Sequence, residues 1–197
     1  MAQNSAEHVG NRCSWAVGVA EAYVDYHDHE WGQPVMDDRG LFERVCLEGF
    51  QAGLSWWTIL SRRPDFRLLF ADFDPEIVAN YQEGQILSLS GDSRIIRHQG
   101  KIRAAIGNAR ATINLGAGGL TQLVWSHQPT PGLRPASAKE IPTQSVESIA
   151  LAKALKAAGF SFTGPTSAYA LMQACGLVND HTLGCPAGDR LDRGDRF

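Results

Sequence analysis

The chain has 197 residues, of which 44% are hydrophobic and 20% are charged, and its formal net charge is −3. This length and composition predict one sizeable core and exclude a disordered chain, and no apolar run reaches the roughly 18 residues that span a bilayer. Residues 1–12 lack the apolar core of a signal peptide, and four cysteines are too few and too scattered for a disulfide framework. We therefore expect a protein of the reducing cytoplasm that makes no membrane contact.

Helical signals predominate, and they predict an all-α chain because strand-like alternation is almost absent. Helices are expected over residues 20–30, 39–53, 74–82, 101–115, 151–158 and 164–176. Four of the nine prolines lie within residues 127–142, which predicts an extended connection there. We expect a single domain over residues 12–185, with a loosely held extension at 1–11 and a loosely held polar tail at 186–197.

The basic residues are unevenly distributed, although the net charge alone does not indicate a nucleic-acid-binding protein. Residues 93–139 contain seven Lys or Arg residues and no Asp or Glu, and five of the seven lie between Arg94 and Arg110. Such a basic stripe on an acidic protein suits a surface that faces a polyanion, and it equally suits a solvated helix face.

Two Cys/His pairs stand near opposite ends of the chain. Cys13 and His27 lie near the amino terminus, and His181 and Cys185 follow a His-x3-Cys spacing near the carboxyl terminus. Two thiolates and two imidazoles form a common tetrahedral set for zinc, but the same residues also occur as buried thiols and ordinary histidines. If zinc binds, the protein fills all four coordination positions, so the role of the metal is structural.

Glu48 is the one charged residue within the apolar segment 45–61, and helical spacing turns it toward the core. A buried carboxylate is costly unless it is paired, so Glu48 is either a functional residue with a raised pKa or the partner of a buried Arg. A carboxylate among aromatic faces suits a flat ligand that is cationic or carries an amine. The Trp and Tyr residues in this part of the chain are Trp15, Tyr23, Tyr26, Trp31, Trp56 and Trp57.

Longer sequence blocks carry a resemblance to a known family. The blocks read CSW at 13–15, YVDYHDHEWG at 23–32, LEGFQAGLSW at 47–56, IIRHQGKI at 95–102, NAR at 108–110 and MQACGLVNDH at 172–181. With these blocks, which extend over about residues 12–185, the chain resembles the 3-methyladenine DNA glycosylase I family of the constitutive bacterial type. The resemblance implies a helix-hairpin-helix glycosylase fold and a monomer that releases 3-methyladenine from alkylated double-stranded DNA.

The resemblance also implies a role for each matching residue. The implied ligands of one structural zinc ion are Cys13, His27, His181 and Cys185. The groups implied to recognise the base are Glu48 and Tyr26, through hydrogen bonds, and Trp56, through stacking. The implied pocket walls are Trp15 and Tyr23, with Trp31 as their support. The implied DNA contacts, within a hairpin region at about 94–115, are Arg97, His98, Gly100, Lys101 and Arg103.

Two features depart from related helix-hairpin-helix glycosylases and bear on the mechanism. The hairpin retains only Gly100 of a Gly-x-Gly pattern, and no acid occurs between Asp92 and Glu140, where related enzymes place a catalytic Asp. Methylation at N3 makes adenine cationic, so the base leaves as a neutral molecule and a carboxylate at the sugar is less necessary. We expect base flipping, water as the nucleophile and no lyase step, since the pocket segments contain no lysine.

Two other function classes remain open at this point. One is a zinc hydrolase that uses His27 and His29 as ligands and Glu30 or Glu48 as base, although the His-x-Glu and Pro-Cys-x-x-Cys pattern of deaminases is absent. The other is a non-catalytic module that binds alkylated bases or DNA. Four protein ligands on the metal argue against the hydrolase, and an assay of base release separates the module from the enzyme.

Overall fold

Eleven α-helices follow one another in the computed structural model, which describes residues 12–195 and contains no strand within that range. In chain order they are α1 Glu21–His29, α2 Asp38–Gln51, α3 Trp56–Leu60, α4 Arg63–Leu69, α5 Pro75–Val78, α6 Glu83–Gly91, α7 Gln99–Asn114, α8 Gly119–Trp125, α9 Val146–Ala157, α10 Pro165–Ala174 and α11 Pro186–Asp192. The all-α prediction is confirmed. The predicted extension at 1–11 lies outside the described residues.

Helix α2 is the central element of the fold, and α3, α7, α8 and α10 all pack against it. Its amino terminus is capped by Asp37, whose side chain accepts a hydrogen bond from the Gly40 backbone N–H at 2.8 Å. At its carboxyl end, the Lys101 ammonium donates to the backbone carbonyls of Phe50 and Ala52 at 2.8 and 2.6 Å. Both ends of the helix that carries Glu48 are therefore held by side chains.

The helix expected over residues 74–82 is shorter than predicted. Asp74 caps it and Pro75 occupies the first position, as the sequence indicates, but α5 ends at Val78. The Asn80 side chain donates to the Glu76 carbonyl at 2.7 Å, which satisfies a carbonyl that a longer helix would use. Gln82 then begins α6 through reciprocal hydrogen bonds with the N3 residue.

Part of the segment 186–197, which we expected to be a loosely held polar tail, is helical in the structure. Pro186–Asp192 form helix α11, and its acidic residues pair with Arg134 from the proline-rich connection. Arg134 Nε lies 3.1 Å from an Asp192 carboxylate oxygen, and the Arg134 side chain is only 8% exposed. The alternating charges that suggested a solvated tail are thus used in a tertiary contact.

Within residues 12–195, no helix combines the length and the apolar character needed to cross a membrane.

Candidate functional site

A buried cluster of four potential metal ligands joins the two ends of the described chain. Its members are Cys13, His27, His181 and Cys185, whose ligand atoms all lie within 4.8 Å of one another. His181 Nδ1 is 3.6 Å from Cys13 Sγ and 3.5 Å from Cys185 Sγ, and His27 Nε2 is 3.6 Å from Cys185 Sγ. The structure thus brings together the four residues that the sequence analysis singled out, from positions as far apart as 13 and 185.

Hydrogen bonds to acceptor oxygens of the surrounding residues orient both histidines of this cluster. His27 Nδ1 lies 2.8 Å from Asp28 Oδ1, and His181 Nε2 lies 3.1 Å from the Trp31 carbonyl. Each imidazole turns one nitrogen to an oxygen and its other nitrogen to the cluster, which is the orientation usual for a histidine that ligates a metal. Arg12 in turn holds Asp28 with two nitrogens, at 2.9 and 2.7 Å.

His29 lies outside this cluster. It is exposed, and its Nδ1 lies 2.8 Å from Asp25 Oδ1 in the adjacent turn of α1. The four members of the cluster are all protein ligands, so the arrangement offers a metal ion a closed set and no position for an activated water. This geometry argues against the zinc hydrolase that the sequence left open.

Beside the cluster lies an aromatic cavity of about 250 Å³. It is smaller than the pockets of about 300–1,000 Å³ that usually hold drug-sized ligands, so it suits a ligand of the size of one base. Its lining contains all six residues expected to recognise or enclose a base: Trp15, Tyr23, Tyr26, Trp31, Glu48 and Trp56.

Glu48 is the charged residue of the cavity lining, and its side chain is almost fully buried. Burial raises its pKa to about 8, although the nearby charge of Arg44 lowers it. No hydrogen bond from another described residue reaches its carboxylate, so the group has neither the buried Arg partner nor the cap that a purely structural role requires. A raised pKa in a concave aromatic site is typical of a functional residue.

The rings of the cavity contact one another and the metal-ligand cluster. Tyr26 and Trp56 have ring centroids 5.3 Å apart. Trp15 lies edge-on to Trp31 at 4.9 Å, and Trp31 lies edge-on to His181 of the cluster at 4.6 Å. The cavity walls therefore rest directly on the residues that would hold a metal.

Trp56 also contributes an unpaired donor. Its indole Nε1 is buried and has no hydrogen-bond partner among the described residues. Buried donors without a partner are rare in folded proteins because each one costs free energy of folding. In a residue that lines a cavity, such a donor is available to an acceptor on a ligand.

An ion-pair network supports the Tyr26 side of the cavity. Glu30 accepts hydrogen bonds from Arg44, at 3.1 Å, and from Arg63. The Arg63 guanidinium lies over the Tyr26 ring, 5.8 Å from its centroid, in a cation–π arrangement. Burial, together with the charges of Glu48 and Glu30, raises the pKa of the Tyr26 hydroxyl, so this group stays protonated.

Four residues of the cavity lining were missed by the sequence analysis: Gln51, Ile141, Ala170 and Gln173. Gln51 follows Glu48 by one turn of α2, so helical spacing was a usable signal for it. Gln173 stands in one of the family-like blocks, but nothing in its own neighbourhood indicates a site. Ile141 comes from the proline-rich connection, where no local pattern predicts a contact.

The basic residues expected to contact DNA differ in their availability. They surround the turn between α6 and α7, where the His98 side chain caps α7 by accepting from the Lys101 backbone N–H at 3.2 Å. Arg97 is exposed and has no ion-pair partner among the described residues, whereas Arg103 pairs with Glu83 at 2.6 Å.

Lys101 is 8% exposed and its ammonium holds the end of α2, so the expectation that it contacts a phosphate does not fit the structure. Gly100 is exposed in the first turn of α7.

The basic stripe is therefore largely paired within the protein. Arg94 donates to Asp92, at distances down to 2.7 Å, and Arg110 donates to the Ala79 carbonyl at 2.9 Å. The absence of acids along this stretch of sequence does not mean an absence of acids in space, because Asp92 and Glu83 come from α6 and the turn that follows it.

Comparisons with known proteins agree on one family. The model of the family described as methyladenine glycosylase matches residues 15–188. The chain is 50% identical over 179 residues to DNA-3-methyladenine glycosylase 1 of Escherichia coli (strain K12), a match that covers 88% of this chain and 95% of the relative.

Solved structures show the same similarity. A crystal structure of 3-methyladenine DNA glycosylase I superposes with a TM-score of 0.85 at 49% identity, covering 89% of this chain and 98% of the other. A second structure, of 3-methyladenine DNA glycosylase I from Staphylococcus aureus, concerns the structural basis of 3-methyladenine recognition. It superposes with a TM-score of 0.84 at 33% identity, covering 91% of this chain and 97% of the other.

Proposed function

Because the chain belongs to the methyladenine glycosylase family, we propose that it is a base-excision repair enzyme that releases 3-methyladenine from alkylated double-stranded DNA. The observation that carries this proposal is the buried, unpaired Glu48 in an aromatic cavity of about 250 Å³. An acid in this position suits a flat cation better than any other class of ligand. Chromosomal DNA would be the partner, in the bacterial cytoplasm, and the protein would act as a monomer.

The reaction begins with extrusion of the damaged nucleotide, since a base inside the duplex cannot reach a cavity of this kind. Glu48 and Tyr26 then hydrogen-bond the edge of the base, and Trp56 stacks on its face. The walls formed by Trp15 and Tyr23 exclude bulk water from the base. In this site a cation–π contact contributes about 0.5–2 kcal/mol.

Departure of the base needs little further help. The N3-methylated base carries a positive charge and leaves neutral, so neither protonation nor a strong carboxylate at the sugar is required. Glu48 stabilises the cationic ground state, so excessive stabilisation would slow the release. We therefore assign Glu48 to recognition first and to catalysis second. Water completes the reaction, and because the described lining residues include no lysine, we propose no Schiff-base lyase step.

Zinc is the metal that we propose for the four-ligand cluster. Bonds of about 2.3 Å to sulfur and about 2.1 Å to nitrogen at a tetrahedral ion place the two ligand atoms about 3.6 Å apart. The sulfur–nitrogen separations of 3.5–3.6 Å between Cys185 and the two histidines match this value. Bound zinc would supply structural cross-linking, and its closed ligand set gives it no part in the chemistry.

We propose that α6, the turn at 92–98 and α7 form the helix-hairpin-helix unit that lies on the DNA backbone. Exposed Arg97 and the backbone around Gly100 are its best phosphate contacts, and His98 shapes the turn by capping α7. Contacts of this type set the position of the protein on the duplex without selecting a sequence.

The decisive experiment measures the free bases released from methylated duplex DNA by the purified protein and by Glu48→Gln. We expect the protein to release 3-methyladenine in preference to 7-methylguanine, and the variant to lose most of this activity. Glu43→Gln is the matched control, because Glu43 is a buried acid on the same helix that pairs with Arg67 at 2.8 Å and does not line the cavity. A folded, metal-loaded protein that releases no base would leave a non-catalytic base-binding module as the better assignment.

A further inference from the structure

Gln173 lines the aromatic cavity, and its amide group has a fixed orientation. Gln173 Nε2 donates to Asp180 Oδ2 at 2.8 Å, and the Tyr169 hydroxyl donates to the same oxygen at 2.7 Å. A carboxylate oxygen accepts hydrogen bonds and does not donate them, so Asp180 compels the amide to present its nitrogen on that side. The carbonyl oxygen Oε1 is then the polar atom that Gln173 can offer to a ligand, and no described residue donates to it.

The Trp56 indole N–H can only donate, and the other cavity groups that are able to accept a hydrogen bond have no such fixed polarity. The Glu48 carboxyl, with a pKa of about 8, exists near neutral pH both as an acceptor and as a protonated donor. The Tyr26 hydroxyl rotates to donate or accept. The Gln51 amide has no hydrogen-bond partner among the described residues, so it can turn either end toward a ligand. Gln173 therefore stands apart in this lining as an acceptor whose role is set by a neighbour.

We propose that Gln173 is a specificity-determining residue that selects a 6-amino over a 6-oxo purine, and that Asp180 is its positioning residue. This inference rests on the proposed function and extends it to the choice between alkylated purines. The 6-amino group of adenine donates a hydrogen bond, whereas the 6-oxo group of guanine and hypoxanthine accepts one. A fixed carbonyl pairs with the first and leaves two acceptors facing each other with the second.

The physical basis is discrimination against the wrong ligand as much as attraction of the right one. A site built to accept a hydrogen bond penalises a ligand that cannot donate, because the carbonyl loses its water when the ligand binds and gains no partner. Asp180 directly precedes His181 in the sequence. The loop that contributes His181 to the four-ligand cluster therefore also holds the amide of Gln173 in place.

The test compares the affinities of free 3-methyladenine and 3-methylhypoxanthine, measured through quenching of tryptophan fluorescence in the metal-loaded protein. We expect the native chain to prefer the amino base, and Gln173→Met to reduce the ratio of the two dissociation constants about tenfold by removing the carbonyl at nearly constant volume. Asp180→Asn is expected to reduce the same ratio, because an Asn side chain lets the Gln173 amide turn around. Tyr169→Phe, which leaves the Gln173–Asp180 hydrogen bond in place, is the matched control and should retain the ratio.

The outcomes separate this inference from the proposed function. If the native chain releases 3-methyladenine from DNA but Gln173→Met leaves the ratio unchanged within twofold, the role of Gln173 is overturned and the glycosylase assignment stands. If the native chain neither binds nor releases 3-methyladenine, the proposed function itself fails. If Asp180→Asn weakens both ligands equally at full metal content, Asp180 is structural and does not position the amide. Should that variant lose its metal, the result with Gln173→Met decides the question alone.

Discussion

The Trp15 ring lies edge-on against the imidazole of His27, with ring centroids 4.8 Å apart. One residue lines the aromatic cavity and the other belongs to the metal-ligand cluster, so the two sites share a wall. In this member of the methyladenine glycosylase family, we therefore expect a change in the cluster to disturb the walls of the cavity.

Removal of the proposed zinc ion is expected to abolish base release and to destabilise the fold. Cys185→Ser should lower the free energy of unfolding by about 3 kcal/mol or more, which corresponds to a fall of about 6–12 °C in Tm for a chain of this size. Metal analysis, thermal unfolding and base release after chelation test this expectation. Cys175→Ala is the matched control, because Cys175 is a fully buried thiol outside the cluster. Equal chelator sensitivity of the native protein and Cys185→Ser would contradict the structural role of the cluster.

Glu48 should make stability depend on pH. Its pKa rises from 4.5 to about 8 on folding, so the native state binds more protons than the unfolded state between these values. Stability attributable to this carboxyl is present below about pH 4.5 and is lost as the pH rises toward 8. Glu48→Gln should therefore be more stable than the native chain at pH 8, by about 2 kcal/mol or more, and nearly equal at pH 4. Denaturant unfolding at the two pH values measures this difference, and a difference that does not change with pH would argue against the raised pKa.

Lys101→Met should weaken both the fold and the cavity. The substitution removes the donor for two carbonyls at the end of α2, and we expect a loss of about 1–3 kcal/mol in the free energy of unfolding. Base release should fall because Gln51 and Glu48 lie within the last turn of that helix, while the dependence of DNA binding on salt should stay the same. A marked change in that salt dependence would indicate that Lys101 contacts a DNA phosphate after all.

Arg97→Ala should have the opposite effects: the salt dependence of DNA binding should change, and the stability of the fold should not. An exposed Arg that contacts a phosphate contributes about 0.9 to the slope of log affinity against log salt, and its removal should lower the slope by that amount without changing stability. Arg103→Ala is the comparison, since its guanidinium already pairs with Glu83 and should contribute less. Fluorescence anisotropy of duplex DNA at several salt concentrations gives both slopes, and equal slopes for the native chain and Arg97→Ala would exclude this contact.

Local patterns in the sequence predicted much of the secondary structure and the chemistry of single residues. The periodic spacing within α7, the Asp cap of α5 and the Gly-Pro start of α10 are interactions between near neighbours, so they can be identified without the fold. The inward direction of Glu48 follows from helix geometry in the same way. The short helices α3 and α4 were missed because their stability comes from packing against neighbours more than from their own sequence.

The sequence by itself therefore determined the helical class, the inward placement of Glu48 and the choice of residues that can bind a metal. The tertiary structure decided which groups meet: Gln173 with Asp180 beside the cavity, Lys101 with the end of α2, and Arg134 with α11. The reason is physical, because pairing depends on separation in space. Lys101 lies 49 and 51 positions from the carbonyls that it holds, and Arg134 lies 55 positions from Asp189, so no local pattern relates them. Asp180 is only 7 positions from Gln173, but it lies beyond the end of α10, so helical spacing does not relate the two. Three of the seven basic residues of the stripe, Arg94, Arg103 and Arg134, pair with acids that lie outside it in the sequence, and only the structure shows these pairs.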